Sequence, residues 1–131
     1  QLVTEGLVVE SSTVPDYALI NVEATANTSA IEPTRLGRHT TTRLAIIQHP
    51  RGRPKVIAEG NLLDEVGGAL RYVDLDTLVG GSGAGVLTTE GRLIGVHTNG
   101  DCNEDGGANA GWTAAEIVRV SPLLDDAVLD L

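Results

Sequence analysis

Gly80-Gly81-Ser82-Gly83-Ala84-Gly85 is followed by the apolar pair Val86-Leu87 and then by Leu93-Ile94-Gly95-Val96-His97. A serine among glycines, set between extended apolar segments, is how a chain places a hydroxyl beside bare backbone N–H groups. Glycine permits conformations and close approaches that a Cβ forbids, so the arrangement suits a nucleophile with its own oxyanion hole. Taken alone, such a serine is more often part of a flexible turn. The flanking sequence has to decide.

Residues 86–89 and 92–98 predict strands joined by a turn at Glu90-Gly91, and 69–74 alternates on the other side of the serine loop. Further upstream, 2–10 and 16–22 are extended and β-branched, with a turn at 11–15. The Thr-rich stretch 25–42 predicts a long surface connection. A short apolar strand at 43–48 halts at Pro50, before the basic loop Arg51-Gly52-Arg53-Pro54. Two strands are predicted at 55–59 and 60–66, then a turn at Gly67-Gly68. The acidic, Gly/Asn-rich 99–111 predicts a loop, and helical spacing is confined to 113–120 and 122–131. Many short strands at regular intervals predict an all-β sandwich or barrel with a terminal helix.

The composition agrees with this. At 131 residues the chain fits one domain with a modest core. It has 16 glycines, one tryptophan and neither phenylalanine nor methionine, so the core must be built from Val, Leu, Ile and Ala. Nine basic against eighteen acidic residues give a net charge of −9, which argues against nucleic acid or an anionic membrane as partner. No apolar run approaches the roughly 18–20 residues of a membrane-spanning helix, and no signal peptide is read at Gln1. The single cysteine, Cys102, cannot form an internal disulfide and leaves the redox compartment open. No cofactor motif is present and no metal site is assigned. The acidic stretch 101–105 offers oxygen ligands for calcium, but without a recognised loop spacing it reads as solvated. Asn27-Thr28-Ser29 is a glycosylation sequon by pattern, a triplet frequent by chance.

Three segments in order carry a resemblance. Asp74-Leu75-Asp76-Thr77-Leu78-Val79-Gly80-Gly81-Ser82-Gly83 resembles the nucleophile segment of bacterial trypsin-like serine peptidases, the V8-like glutamyl endopeptidases in particular. Ile46-Ile47-Gln48-His49-Pro50-Arg51-Gly52-Arg53-Pro54-Lys55 is similar to that group's "QHP-x-GRPK" loop. Val14-Pro15-Asp16-Tyr17-Ala18-Leu19-Ile20 is similar to the "DYALL" strand carrying the triad aspartate. The resemblance implies an antiparallel β-barrel of the trypsin-like serine peptidase fold with a short C-terminal helix. Residues 1–35 would be a remnant of the first barrel and 36–131 the second.

The same resemblance implies the roles. Ser82 is the nucleophile, Asp16 stabilises the imidazolium of the base, and the N–H groups of Gly80 and Ser82 form the oxyanion hole. Without it, Asp16 would be read as a turn cap after Pro15. His97 matches the histidine that lines the primary pocket of glutamyl endopeptidases, and Thr77 the threonine five residues before the serine. The implied substrate is a protein or peptide with Glu or Asp at P1, and the implied setting is secreted or periplasmic. The chain departs from the family at Ala84-Gly85, where Ser-Pro or Gly-Pro is usual; losing the proline loosens the wall behind the nucleophile.

The base is missing. The family's histidine precedes the aspartate, whereas His39, His49 and His97 all follow Asp16. The expectation is therefore the C-terminal portion of a longer peptidase, with an N-terminal segment or second chain supplying the histidine, and near inertness of this chain alone. Two other readings stay open: a non-catalytic module that binds acidic peptides through Thr77 and His97, and an assembly subunit that packs against a partner.

Overall fold

In the structure, a computed structural model, the described residues are 3–38, 42–75, 77, 80–100 and 107–130. The first two strands, β1 (Val3–Thr13) and β2 (Asp16–Ala24), form an antiparallel hairpin across Val14-Pro15, with Thr13 facing Asp16. Among the described residues they pair with no other strand. The other sheet holds β3 (Leu36–Gly37), β4 (Arg43–Gln48), β5 (Val56–Val66), β6 (Ala69–Tyr72), β7 (Gly85–Thr88), β8 (Leu93–Gly100), β9 (Asn109–Thr113) and β10 (Leu129–Asp130). Six of these close an antiparallel barrel in the order β8, β7, β4, β5, β6, β9 and back to β8. The all-β barrel expected from the strand pattern is present.

Alternation explains the interior. On β4 the buried residues are Leu44, Ile46 and Gln48, every second position, as a strand with one face inward requires. Leu70 and Tyr72 of β6, Val86 of β7, Ile94 of β8 and Leu75 complete one core cluster with Leu44 and Ile46. Each fully buried aliphatic side chain contributes about 1.5–3 kcal/mol, which is how a barrel without phenylalanine holds together. A second cluster of Ala114, Val118 and Leu129, with Leu36 and Leu124 against it, packs the terminal helix.

That helix, α1, spans Ala114–Val120. Thr113 caps it by accepting from the Glu116 N–H at 3.0 Å, and Glu116 pairs with Arg119 one turn on. The cap satisfies an otherwise orphaned N–H. Helix does not continue over 122–131, where helical spacing predicts it. Ser121 is extended, as residues before proline tend to be; a 3-10 turn at Asp126–Val128 follows, and Leu129 pairs in parallel with Leu36.

Two further differences concern strands. β5 is one strand of eleven residues rather than two. Its first half, to Asn61, pairs with β4, and from Leu62 it pairs with β6, so one long strand serves two partners as the barrel curves. The predicted loop at 99–111 is also shorter: β8 runs to Gly100 and β9 begins at Asn109, with Gly100 facing Asn109 and His97 facing Gly111.

Candidate active site

Ser82 sits in a turn pinned to β8 on both sides. The Gly83 N–H donates to the His97 carbonyl at 2.8 Å, and the His97 N–H donates to the Ala84 carbonyl at 2.9 Å. The Ala84 N–H closes the turn onto the Gly81 carbonyl at 3.0 Å. Gly80, at φ +95°, holds a backbone that a side chain resists, and a Cβ there would stand 3.2 Å from the Arg51 nitrogen and 3.3 Å from the His49 carbonyl oxygen. The basic loop therefore packs directly behind Gly80. Among the described residues, no acceptor takes the N–H of Gly80 or of Ser82.

The segment leading into this turn is fixed further back. Asp74 accepts from the Asn61 N–H at 2.6 Å and from its side-chain amide at 2.8 Å, and these two donors hold the Asp74 carboxyl below its usual range. Buried Asn109 donates to the Leu75 carbonyl at 2.9 Å. Neither Asn61 nor Asn109 stands out in the sequence, because an asparagine's role as a clamp depends on what the fold brings opposite it.

Ser82 and Asp16 are both exposed and line one cleft of about 840 Å³, together with Ser12, Ala18, Ile20 and His97. The hairpin forms one wall, and the serine turn with residues 96–98 of β8 forms the other. The hydroxyl of Ser82 donates to the Thr98 carbonyl at 3.3 Å. No hydrogen bond joins a described histidine to Ser82 or Asp16. His49 is tied to its own loop, its Nδ1 lying 3.2 Å from the Arg53 carbonyl. His39, Cys102 and the acidic stretch 101–105 lie outside the described residues.

His97 is 2% exposed and points from β8 to Tyr72, whose hydroxyl lies 2.5 Å from its Nδ1. Tyr72 carries no signal in the sequence beyond an apolar strand position. Burial pushes the His97 pKa below its ordinary value of 6.5, against a smaller upward effect from the Ala110 carbonyl. Thr77 does not line the cleft. Its buried Oγ1 lies 3.8 Å from where a Cβ on Gly100 would stand, and finds no hydrogen-bond partner among the described residues. A buried hydroxyl left unpaired costs about 1–3 kcal/mol.

The depressed pKa of His97 has a consequence for stability. Below pH 6.5 the unfolded chain takes up a proton that the folded chain still refuses. Stability therefore falls as pH drops through that value and levels off beneath the folded pKa. Urea midpoints measured from pH 7.5 to 5 should decline in the native chain and show a weaker slope in His97→Gln. Equal slopes would assign the effect elsewhere. The carboxyls of Asp74 and Glu116, held low by hydrogen bonds, lose their contribution only at more acid pH.

Residues 3–96 match the family described as the trypsin-like peptidase domain. No curated protein matches the chain. Among solved structures it is similar to the inactive form of a serine-to-alanine mutant of Rv3671c from M. tuberculosis H37Rv, at 17% identity and a TM-score of 0.65, over 86% of this chain. It is similar to the HtrA-type protease AlgW with a decapeptide, at 19% identity and a TM-score of 0.69, over 88% of this chain. A Glu endopeptidase in complex with MPD matches at 24% identity and a TM-score of 0.63, over 86% of this chain. The chain spans only 61%, 38% and 57% of those three, in that order.

Proposed function

Given that the chain belongs to the trypsin-like peptidase domain family, we propose that it is the nucleophile-bearing part of a serine endopeptidase that cleaves after Glu or Asp. The observation that carries this reading is that Ser82, Asp16 and His97 line the same cleft. Ser82 Oγ attacks the scissile carbonyl and gives its proton to a histidine whose imidazolium Asp16 stabilises. The developing oxyanion is received by the N–H groups of Gly80 and Ser82, each worth about 2.7–4 kcal/mol in the transition state. The histidine then protonates the leaving amine, and water releases the acyl group. His97 reads the carboxylate of the residue on the acyl side, and Thr77, which does not line the cleft, takes no part in it.

The base in this reading is neither of the described histidines, since His49 is bonded to the Arg53 carbonyl and His97 to Tyr72, and an N-terminal segment or a second chain supplies it. Residues 1–35 are then part of a first barrel. The hairpin favours such a completion: Ile20 is 56% exposed, Val8 55% and Val22 46%. Val8 faces Ile20 across the strands, and next to them Gly6 faces Val22. A two-stranded hairpin is marginal by itself, and a contiguous exposed apolar face marks an interaction surface. The partner is a β-rich segment or chain that covers this face and brings the histidine to the mouth of the cleft.

The test uses the protein with whatever residues its gene places before Gln1, and peptides differing only in Glu or Gln at P1. A charge-assisted hydrogen bond is worth about 1.5–3 kcal/mol, so Glu should be preferred by roughly 10- to 150-fold. Equal cleavage of both would remove the acid-reading pocket. No cleavage of either, with the fold intact, would favour the second reading, a peptide-binding module without catalysis. The bond from Ser82 to the Thr98 carbonyl is the one observation on that side.

A further inference from the structure

Tyr72 is completely buried on β6, and its hydroxyl has one partner among the described residues, Nδ1 of His97 at 2.5 Å. The two rings lie 5.8 Å apart and tilted by 42°. A buried phenol needs a partner for its O–H. Here burial also pushes its pKa up, so it stays a neutral hydroxyl and offers the imidazole no charge.

The direction of the bond follows from donor and acceptor counts. A neutral imidazole has one N–H and one bare nitrogen. The buried Tyr72 hydroxyl has Nδ1 as its one partner among the described residues. Were Nδ1 to carry the proton, it would donate to the phenol oxygen and leave the buried O–H with no acceptor, at a cost of about 1–3 kcal/mol. The proton therefore sits on Nε2, and Nδ1 is the bare nitrogen that receives the Tyr72 hydrogen.

We propose that Tyr72 is a positioning residue for the acid-reading pocket: by donating to Nδ1 it fixes His97 as the Nε2–H tautomer and presents that N–H to the substrate carboxylate. This rests on the reading of His97 given above and deepens it. Discrimination then comes from an aimed N–H dipole on a neutral ring, with no positive charge needed before the ligand arrives. The same residue whose backbone pins the Ser82 turn thus has its side chain set from behind. In the sequence these are a tyrosine and a histidine 25 positions apart.

The test is made on the 131-residue chain with histidine labelled by nitrogen-15. Long-range proton–nitrogen spectra at pH 7.5 should give His97 a protonated Nε2 and a bare Nδ1. A protonated Nδ1 in the native chain overturns the proposal, whatever any variant does. In Tyr72→Phe the tautomers should mix. Calorimetric affinity for a Glu-terminated peptide should then fall in proportion to the Nε2–H fraction lost, about twofold for an even mixture, with an amide-capped control unchanged. An unaltered tautomer in a folded Tyr72→Phe also overturns the proposal. Equal affinity of the native chain for the two peptides would instead overturn the reading of the pocket, and with it the role of Tyr72 there, while the tautomer stood. The two failures are thereby told apart.

Discussion

A fluorophosphonate probe should label Ser82 of the completed protein rapidly and the 131-residue chain about 10⁴-fold or more slowly, and Ser82→Ala should abolish the adduct. The magnitude follows from what a base does. An unassisted alcohol is a poor nucleophile, and removing one triad member costs roughly 10⁴- to 10⁶-fold in rate. In this chain the Ser82 hydroxyl donates to the Thr98 carbonyl, a bond that lowers neither its pKa nor its barrier to attack. The N–H groups of Gly80 and Ser82, the proposed oxyanion donors, do not depend on the base, so a slow residual reaction is expected rather than none. Intact-mass measurement over time, followed by peptide mapping, reads both the rate and the residue. Rapid labelling of the lone chain at Ser82 would mean that a base lies within it. His97 would then be the suspect, since it lines the same cleft. Labelling that persists in Ser82→Ala would remove the serine from the chemistry altogether.

The strands were legible where one face is buried and the residues alternate. β4, with Leu44 and Ile46 inward, and β7, with Val86 and Thr88 inward, follow that rule directly. β9 escaped because its sequence, Asn-Ala-Gly-Trp-Thr, has turn residues where a strand should have branched ones. Those residues answer to close contacts with β8, and no single-chain pattern encodes a neighbour's backbone. The terminal stretch 122–131 has helical spacing but is claimed by a parallel pairing of Leu129 with Leu36, again a long-range contact.

The candidate site divides in the same way. Ser82 among its glycines carries a local signal, since both the turn and the free N–H groups are built from adjacent residues. Asp16 and His97 had none of their own; a resemblance singled them out, and the hairpin wall and residues 96–98 of β8 put them on one cleft. Tyr72 could not be found from sequence at all. An apolar position on an alternating strand gives no hint that its hydroxyl will meet a histidine from another strand inside the barrel.

Gly111→Ala should be among the most damaging small substitutions in the chain, and should cost the pocket as well as the fold. A Cβ at Gly111 would stand 2.5 Å from the Val96 carbonyl oxygen, 3.0 Å from its carbon and 3.2 Å from the His97 Cα. All three are backbone atoms and cannot rotate away. The contact is mirrored on the other strand, where a Cβ at Gly95 would stand 2.6 Å from the Trp112 carbonyl oxygen. β8 and β9 thus approach closely at a glycine on each strand, Gly95 facing Thr113 and Gly111 facing His97, and their pairing is the seam that closes the barrel. One methyl has to lever β9 outward. Overpacking of this kind costs about 1–3 kcal/mol and sometimes more, a drop in Tm of roughly 5–10 °C for a domain of this size. Gly67→Ala provides the comparison, because a Cβ there meets nothing within 4 Å and the substitution carries only the strain of φ +60°, about 1 kcal/mol. Gly111 faces His97 across that seam, so moving β9 also disturbs His97, and affinity for a Glu-terminated peptide should fall in Gly111→Ala and hold in Gly67→Ala. If Gly111→Ala were as stable as Gly67→Ala and bound the peptide as well, the β8–β9 seam would not be what holds His97 in place.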